Sequence, residues 1–128
     1  MGHVSNAFAA RLHVLLRLDS DPSLVPAFQR NLIADRANEV FVSAATAWEL
    51  GIKQSKGKLV FSMPISEQRI QFGFLELPIT FAHAEYAGGF SLLHCDPFDR
   101  MLLAQAIVEQ MVLVTTDRRL AGYPMKLF

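Results

Sequence analysis

Three carboxylates in this chain, Glu49, Asp99 and Asp117, each stand at or near the start of an expected helix or turn that adjoins an apolar, strand-like run. In a chain that alternates strands and helices, such positions converge at the carboxyl ends of parallel strands, where open α/β sheets bind their ligands. Hard oxygen donors gathered there are the layout of a divalent-metal site, and because Mg²⁺ keeps several of its waters, a few convergent carboxylates suffice. Such an ion would polarise a scissile phosphate, help to ionise an attacking water and stabilise the leaving oxygen, with no nucleophilic side chain required. The sequence offers no competing chemistry: it has no Ser/His/Asp arrangement, no glycine-rich phosphate loop and no His-x-x-x-His zinc spacing.

Each acid also has a plainer role. Asp96 and Asp99 sit at the N-cap and N3 positions of a helix that opens Asp96-Pro97-Phe98-Asp99, where they offset the helix dipole, and for Asp96 the cap is the favoured role. Asp117 follows the apolar run Val112-Leu113-Val114-Thr115; it is either a turn residue or, as favoured for an acid at the end of a central parallel strand, part of a site. Glu49 lies between Trp48 and Leu50 in a segment nearly devoid of charge, and a buried carboxylate without a partner is costly, so it calls for a cation. Lys53, Lys56 and Lys58 follow Glu49, Arg100 follows Asp99, and Arg118-Arg119 follow Asp117. This repeated adjacency of base to acid slightly favours a phosphate backbone as partner over a solvated helix surface, with Lys53, Arg100 and Arg118 as the contacting residues. Where a fourth acid would be expected, near the N-terminus, the chain reads Ala10-Arg11-Leu12-His13.

The elements that must position these groups follow from periodicity and punctuation. Phe8 to Leu18 reads as a first strand running into a helix, with His13 beside the site on the strand. Asp21-Pro22-Ser23 is a turn, and Leu24, Phe28, Leu32 and Ile33 recur at helical spacing until Asp35 to Asn38. Val40-Phe41-Val42 is a short buried strand; Ser43 caps the next helix, which runs to about Lys56 and stops at Gly57. Ser66 with Glu67 and Gln68 opens a further short helix, Phe74 to Leu77 is extended, and Thr80 caps a helix through Tyr86 that stops at Gly88-Gly89. The helix from Asp96 should end near Gln110, followed by the strand Val112 to Thr115, a short helix after Asp117 and a terminal strand over Met125 to Phe128. Met101, Met111, Phe41, Phe72 and Phe74 read as core, His83 as a helix-surface residue, His3 as part of a loose end, and His94 as approaching the site just before Asp96. Alternating strands and helices imply a mainly parallel sheet covered on both faces.

Composition sets the bounds. At 128 residues, 52% hydrophobic and 19% charged, the chain suits one well-packed domain spanning residues 1–128, with residues 1–12 its atypical segment. Lys+Arg and Asp+Glu both number 12, so global charge gives no support for non-specific nucleic-acid binding. The lone Cys95 can form neither an internal disulfide nor a zinc cluster, which makes the cytoplasm the expected home. No uncharged stretch approaches a membrane span, and Arg11 interrupts what would be a signal peptide's apolar region, so a soluble, unprocessed chain is expected.

Taken as a set, Asn38-Glu39-Val40-Phe41-Val42-Ser43 running into Ala47-Trp48-Glu49, then His94-Cys95-Asp96-Pro97-Phe98-Asp99-Arg100, Leu103-Ala104-Gln105-Ala106 and Leu113-Val114-Thr115-Thr116-Asp117, resemble the PIN-domain ribonucleases, and more closely the VapC toxins of bacterial toxin-antitoxin pairs. The similarity covers almost the whole chain from about His13. It implies a three-layer α/β/α sandwich with a parallel sheet, Mg²⁺- or Mn²⁺-dependent cleavage of RNA, a homodimer, and inhibition by a cognate antitoxin. By position it makes Glu49, Asp99 and Asp117 the catalytic, metal-binding acids, with Asp96 in an outer shell. Thr115 then orients a ligand or water, and Ser43 and His13 support the site. The family's first acid, in an Asp-Thr-His strand end, falls here on Arg11, whose charge opposes metal binding.

Two accounts of Arg11 stay open: a toxin-type ribonuclease weakened to three acids, and a catalytically silent module that retains antitoxin and RNA binding. A phosphoacceptor signalling domain is disfavoured, since it needs an acidic pair after the first strand and an acceptor Asp near mid-chain. The apolar excess suits a dimer and an amphipathic antitoxin helix in a groove.

Overall fold

In the computed structural model, which describes residues 6–59, 61–89, 96–122 and 126–128, four short strands form one sheet. They are β1 (Ala7–Ala10), β2 (Glu39–Ser43), β3 (Leu75–Leu77) and β4 (Val112–Val114). Their order is β3-β2-β1-β4 and every pairing is parallel, with Ala9 opposite both Phe41 and Leu113, and Val42 opposite Glu76. The chain adds strands to one side of β1 and then crosses to the other for β4, so the strand order reverses at β1. That reversal opens a crevice at the carboxyl ends of β1 and β4.

Among the described residues six α-helices connect and cover the strands: α1 (Leu12–Ser20), α2 (Ala27–Ala34), α3 (Ala44–Ser55), α4 (Ile65–Phe72), α5 (Phe81–Gly89) and α6 (Pro97–Glu109). Period-two alternation divides the sheet. Phe8, Ala10, Val40, Val42 and Val114 pack with Val14, Leu15 and Leu18 of α1, Leu32 of α2, and Phe74 on one face. Ala9 and Leu113 pack with Leu102, Leu103 and Ala106 of α6 on the other. Alanines in β1 let both layers approach closely, and Ala9 and Ala10 have no exposed surface. Leu12, Leu50 and Phe61 make a smaller cluster.

The helix signals in the sequence act as expected at several ends. Ser43 Oγ accepts the Ala45 N–H, Asp96 Oδ1 accepts the Asp99 N–H, and Thr80 Oγ1 accepts the His83 N–H. Gly73, at φ 72°, ends α4 in the left-handed region that a side chain would disfavour. Four expectations need correction. His83 is buried, not a surface residue: its Nδ1 accepts the Thr80 N–H and its Nε2 meets Glu109 at 2.7 Å, joining α5 to α6. Phe72 is exposed and stacks on buried Phe74 at the end of α4. The helix at Ser66 begins one residue earlier, after Pro64. The terminal strand is a single parallel bridge, Leu113 to Leu127, among the described residues; Met125, like His3, His94 and Cys95, lies outside them.

A buried polar network fixes the carboxyl end of β2 against α6. Ser43 donates its hydroxyl to Gln105 Oε1 at 2.6 Å, and Gln105 Nε2 donates to the carbonyls of Leu77 and Pro78. Both residues are fully buried. Replacing Gln105 by Leu leaves the Ser43 hydroxyl without its acceptor and two carbonyls without their donor, and should cost about 2–3 kcal/mol in urea unfolding with an unchanged slope. A loss below about 0.5 kcal/mol would show that the network carries no weight.

Candidate functional site

Arg11 leaves β1 at the strand-to-helix junction. Its backbone N–H still donates to the Val114 carbonyl, extending the β1–β4 pairing, while its own carbonyl accepts from Val14 and opens α1. It is thus the N-cap residue of α1, without any side-chain cap, and the first turn holds no acid. A cation is the wrong charge for a helix N-terminus. The guanidinium turns instead to two carboxylates brought in by other elements.

Nε and Nη2 donate to the two oxygens of Asp99 at 3.2 and 2.8 Å, the paired geometry of an Arg fork on a carboxylate. Nη1 donates to Thr115 Oγ1 at 3.0 Å and to Asp117 Oδ2 at 3.4 Å. Asp99 is placed by the first turn of α6, and Thr115 and Asp117 by the exit of β4. Thr115 is held on every side: its N–H donates to the Phe128 carbonyl, its own carbonyl accepts from Gln29 Nε2, and its Oγ1 also accepts the Asp117 N–H. Asp117 is gripped a second time by Arg119, through Nε at 2.9 Å and Nη2 at 2.6 Å.

These contacts set the charge states. The Arg119 hydrogen bond holds the Asp117 carboxyl well below the usual carboxylate range, with the charges of Arg119 and Arg11 acting the same way. Burial pushes the Asp99 carboxyl up; Arg11 opposes that, and the Asp96 and Asp117 charges add to it. His13 stands in the first turn of α1, not on β1 as expected, because the strand ends at Ala10. Its Nε2 accepts the Thr116 N–H at 3.4 Å, and burial, with the charges of Arg11 and Arg17, lowers its pKa from 6.5 to about 4.

The other expected site residues stand apart from this fork. Glu49 is buried on α3, and the cation it calls for is Lys53, one helical turn on, at 2.8 Å. Lys53 is therefore committed to a protein carboxylate. Ser43 supports the site only indirectly, through the cap of α3 and Gln105. Asp96 is exposed and caps α6. Arg100 is half-buried with its Nε unpaired, and Arg118 is exposed. Sequence reasoning expected the charge of Arg11 to oppose metal binding but not its hydrogen bonds to both acids, and it gave Gln105 no part as the scaffold's buried anchor.

The PIN domain family matches residues 13–124, and the chain belongs to that family. No curated protein sequence matches it significantly. Its fold is similar to that of a chain in the VapBC2 complex of Rickettsia felis bound to a promoter DNA fragment, at 18% identity and TM-score 0.67, covering 95% of this chain and 97% of that one. It is also similar to a chain of DNA-bound VapBC from Salmonella typhimurium, at 17% identity and TM-score 0.64, covering 95% and 96%. A chain of FitAcB from Neisseria gonorrhoeae gives 18% identity and TM-score 0.61, covering 94% and 96%.

Nucleases of this family generally use divalent metals. The residues here do not fit such an ion. The guanidinium of Arg11 spans both oxygens of Asp99 and shares Asp117 with Arg119, so fixed positive charge already sits where an ion would approach and repels it. Among the described residues no three Asp, Glu, His or Cys side chains gather into a group able to hold a metal.

The His13 environment predicts a pH effect. The fold favours neutral imidazole, so this residue's contribution is fully present above about pH 6.5 and lost as pH falls through about 4. An NMR titration of the ring should give a midpoint near 4, and Arg17→Gln should raise it by removing a nearby positive charge. A midpoint at 6.5 in both proteins would contradict the burial and charge assigned to this ring.

Proposed function

We propose that this chain is a VapC-like PIN domain of a toxin-antitoxin type pair that binds its partners without cutting RNA. The observation that carries this reading is the Arg11 fork. It supplies a fixed positive charge where metal-assisted hydrolysis needs an exchangeable one, and it sets that charge against both oxygens of Asp99, where it repels an approaching ion. The weakened-enzyme account, with Glu49, Asp99 and Asp117 sharing one Mg²⁺ or Mn²⁺, is less well supported, since Glu49 is paired with Lys53.

The partner classes follow from chemistry and likeness. Similarity of fold to chains from VapBC complexes, and to a toxin-antitoxin complex from Klebsiella pneumoniae, supports a cognate antitoxin as the protein partner. Trp48, Phe81, Ile70 and Tyr86 are exposed, which suits a homodimer or an antitoxin helix. Arg118 and the part-buried Arg100 stay candidates for RNA phosphate, and Lys53 could join them only by leaving Glu49. No helix among the described residues is long and apolar enough to cross a membrane, and a cytoplasmic home is part of the proposal.

The test is cleavage of a mixed structured-RNA pool with Mg²⁺ or Mn²⁺. The native chain should give no cutting above a protein-free control, while Arg11→Asp should gain chelator-sensitive cleavage that Asp99→Asn in the same chain removes. Chelator-sensitive cutting by the native chain would overturn the reading.

A further inference from the structure

We propose that Arg11 is a resident cation of this fold. It takes the structural part that a bound divalent ion would take at Asp99 and Asp117, makes the domain's stability independent of metal, and masks a latent divalent-cation site that a neutral residue at position 11 would uncover. The inference rests on the non-cleaving reading of the same site and extends it to stability and ion binding.

The geometry is that of a ligand held by a preformed set of acceptors. Four hydrogen bonds leave the guanidinium for three residues, and a guanidinium has five N–H donors in all. The acceptors lie 88, 104 and 106 residues away along the chain, so one side chain joins the β1–α1 junction to the start of α6 and to the exit of β4. All three charged partners are largely withdrawn from water: the Arg11, Asp99 and Asp117 side chains are 14%, 21% and 17% exposed. A pair so placed is far less screened than a surface ion pair.

Local preference does not put Arg11 there. As N-cap of α1 it meets the positive end of a helix, with no acid in the first turn to offset it. Its position is therefore held by the distant carboxylates. Those carboxylates are built independently of Arg11, since the Asp99 backbone is fixed by the Asp96 cap, and Asp117 by Thr115 and Arg119. Removing only the guanidinium thus leaves two ordered acids facing a gap the size of its head group. Two convergent carboxylates offer the hard oxygens that Mg²⁺ or Mn²⁺ takes, with water filling the remaining positions and Arg119 still on Asp117.

Arg11→Met keeps the stem and removes the charge. Its melting temperature should fall by roughly 8–15 °C, as expected when one partner of a largely buried ion cluster is lost. Millimolar Mn²⁺ should restore at least half of that loss in the variant and leave the native chain unmoved, because only a ligand that binds the folded state raises stability. Arg11→Met combined with Asp99→Asn and Asp117→Asn should show no Mn²⁺ response. A second readout needs no variant: paramagnetic Mn²⁺ should leave the His13 ring signal of the native chain sharp, since that ring touches Thr116 beside the site.

An Arg11→Met protein that folds only with Mn²⁺ would support the inference. One that melts with the native chain would overturn it while leaving the absence of cleavage untouched. Broadening of His13 in the native chain by micromolar Mn²⁺ would also overturn it. Chelator-sensitive cleavage without any loss of the Arg11→Met melting difference would instead sink the non-cleaving reading and keep the structural role of Arg11.

Discussion

The guanidinium of Arg11, forked onto Asp99 and shared with Thr115 and Asp117, is the interaction on which the charge and chemistry of this site depend. Its energetics decide between two opposing effects. A positive charge at a helix N-terminus costs on the order of 0.3–1 kcal/mol. Each hydrogen bond to a charged group contributes about 1.5–3 kcal/mol, and four of them leave this one side chain. The fork outweighs that cost, and a local preference of helix ends is broken where tertiary charge compensates for it.

That compensation requires the carboxyl edge of the sheet to be rigid before Arg11 arrives. The reversal of strand order at β1 brings Arg11 and the exit of β4 side by side, and their backbones stay paired through the Arg11 N–H and Val114 carbonyl. Buried amides then fix the neighbours. Gln29 Nε2 bridges the carbonyls of Thr115 and Phe128, and Gln105 bridges Ser43 to the end of β3. Polar groups this deeply buried are tolerable only when their donors find acceptors, and in doing so they position Thr115, whose hydroxyl receives both Arg11 and the Asp117 backbone. The site inherits its geometry from these uncharged contacts and its electrostatics from arginines.

Much of the scaffold was legible because its signals are local. Asp96-Pro97-Phe98-Asp99 carries cap, first-turn proline and N3 acid together, and α6 starts there. The apolar run before Asp117 became β4, and Ser43 became the cap of α3. What was missed is long-range. His83 reads as an ordinary polar helix residue until Glu109, 26 residues on, supplies a partner that lets it be buried. Phe72 reads as core, but α4 ends beside the sheet's outer strand and leaves the ring half outside. Glu49 did need a cation, and the spacing to Lys53 was visible, yet the lysine was assigned to phosphate. The arginine at position 11, where the resemblance would place an acid, was plain in the sequence. That its side chain would span two other elements and satisfy both acids could be seen only in three dimensions.

The most direct measurement is NMR of the Arg11 guanidinium in uniformly labelled protein, with and without millimolar Mg²⁺. The fork predicts slow rotation about the Nε–Cζ bond and protected Nε and Nη protons, unchanged by the ion and unlike the exposed Arg36. An Arg11 group that turns freely once Mg²⁺ is added would mean that the metal displaces it, and the account would fail.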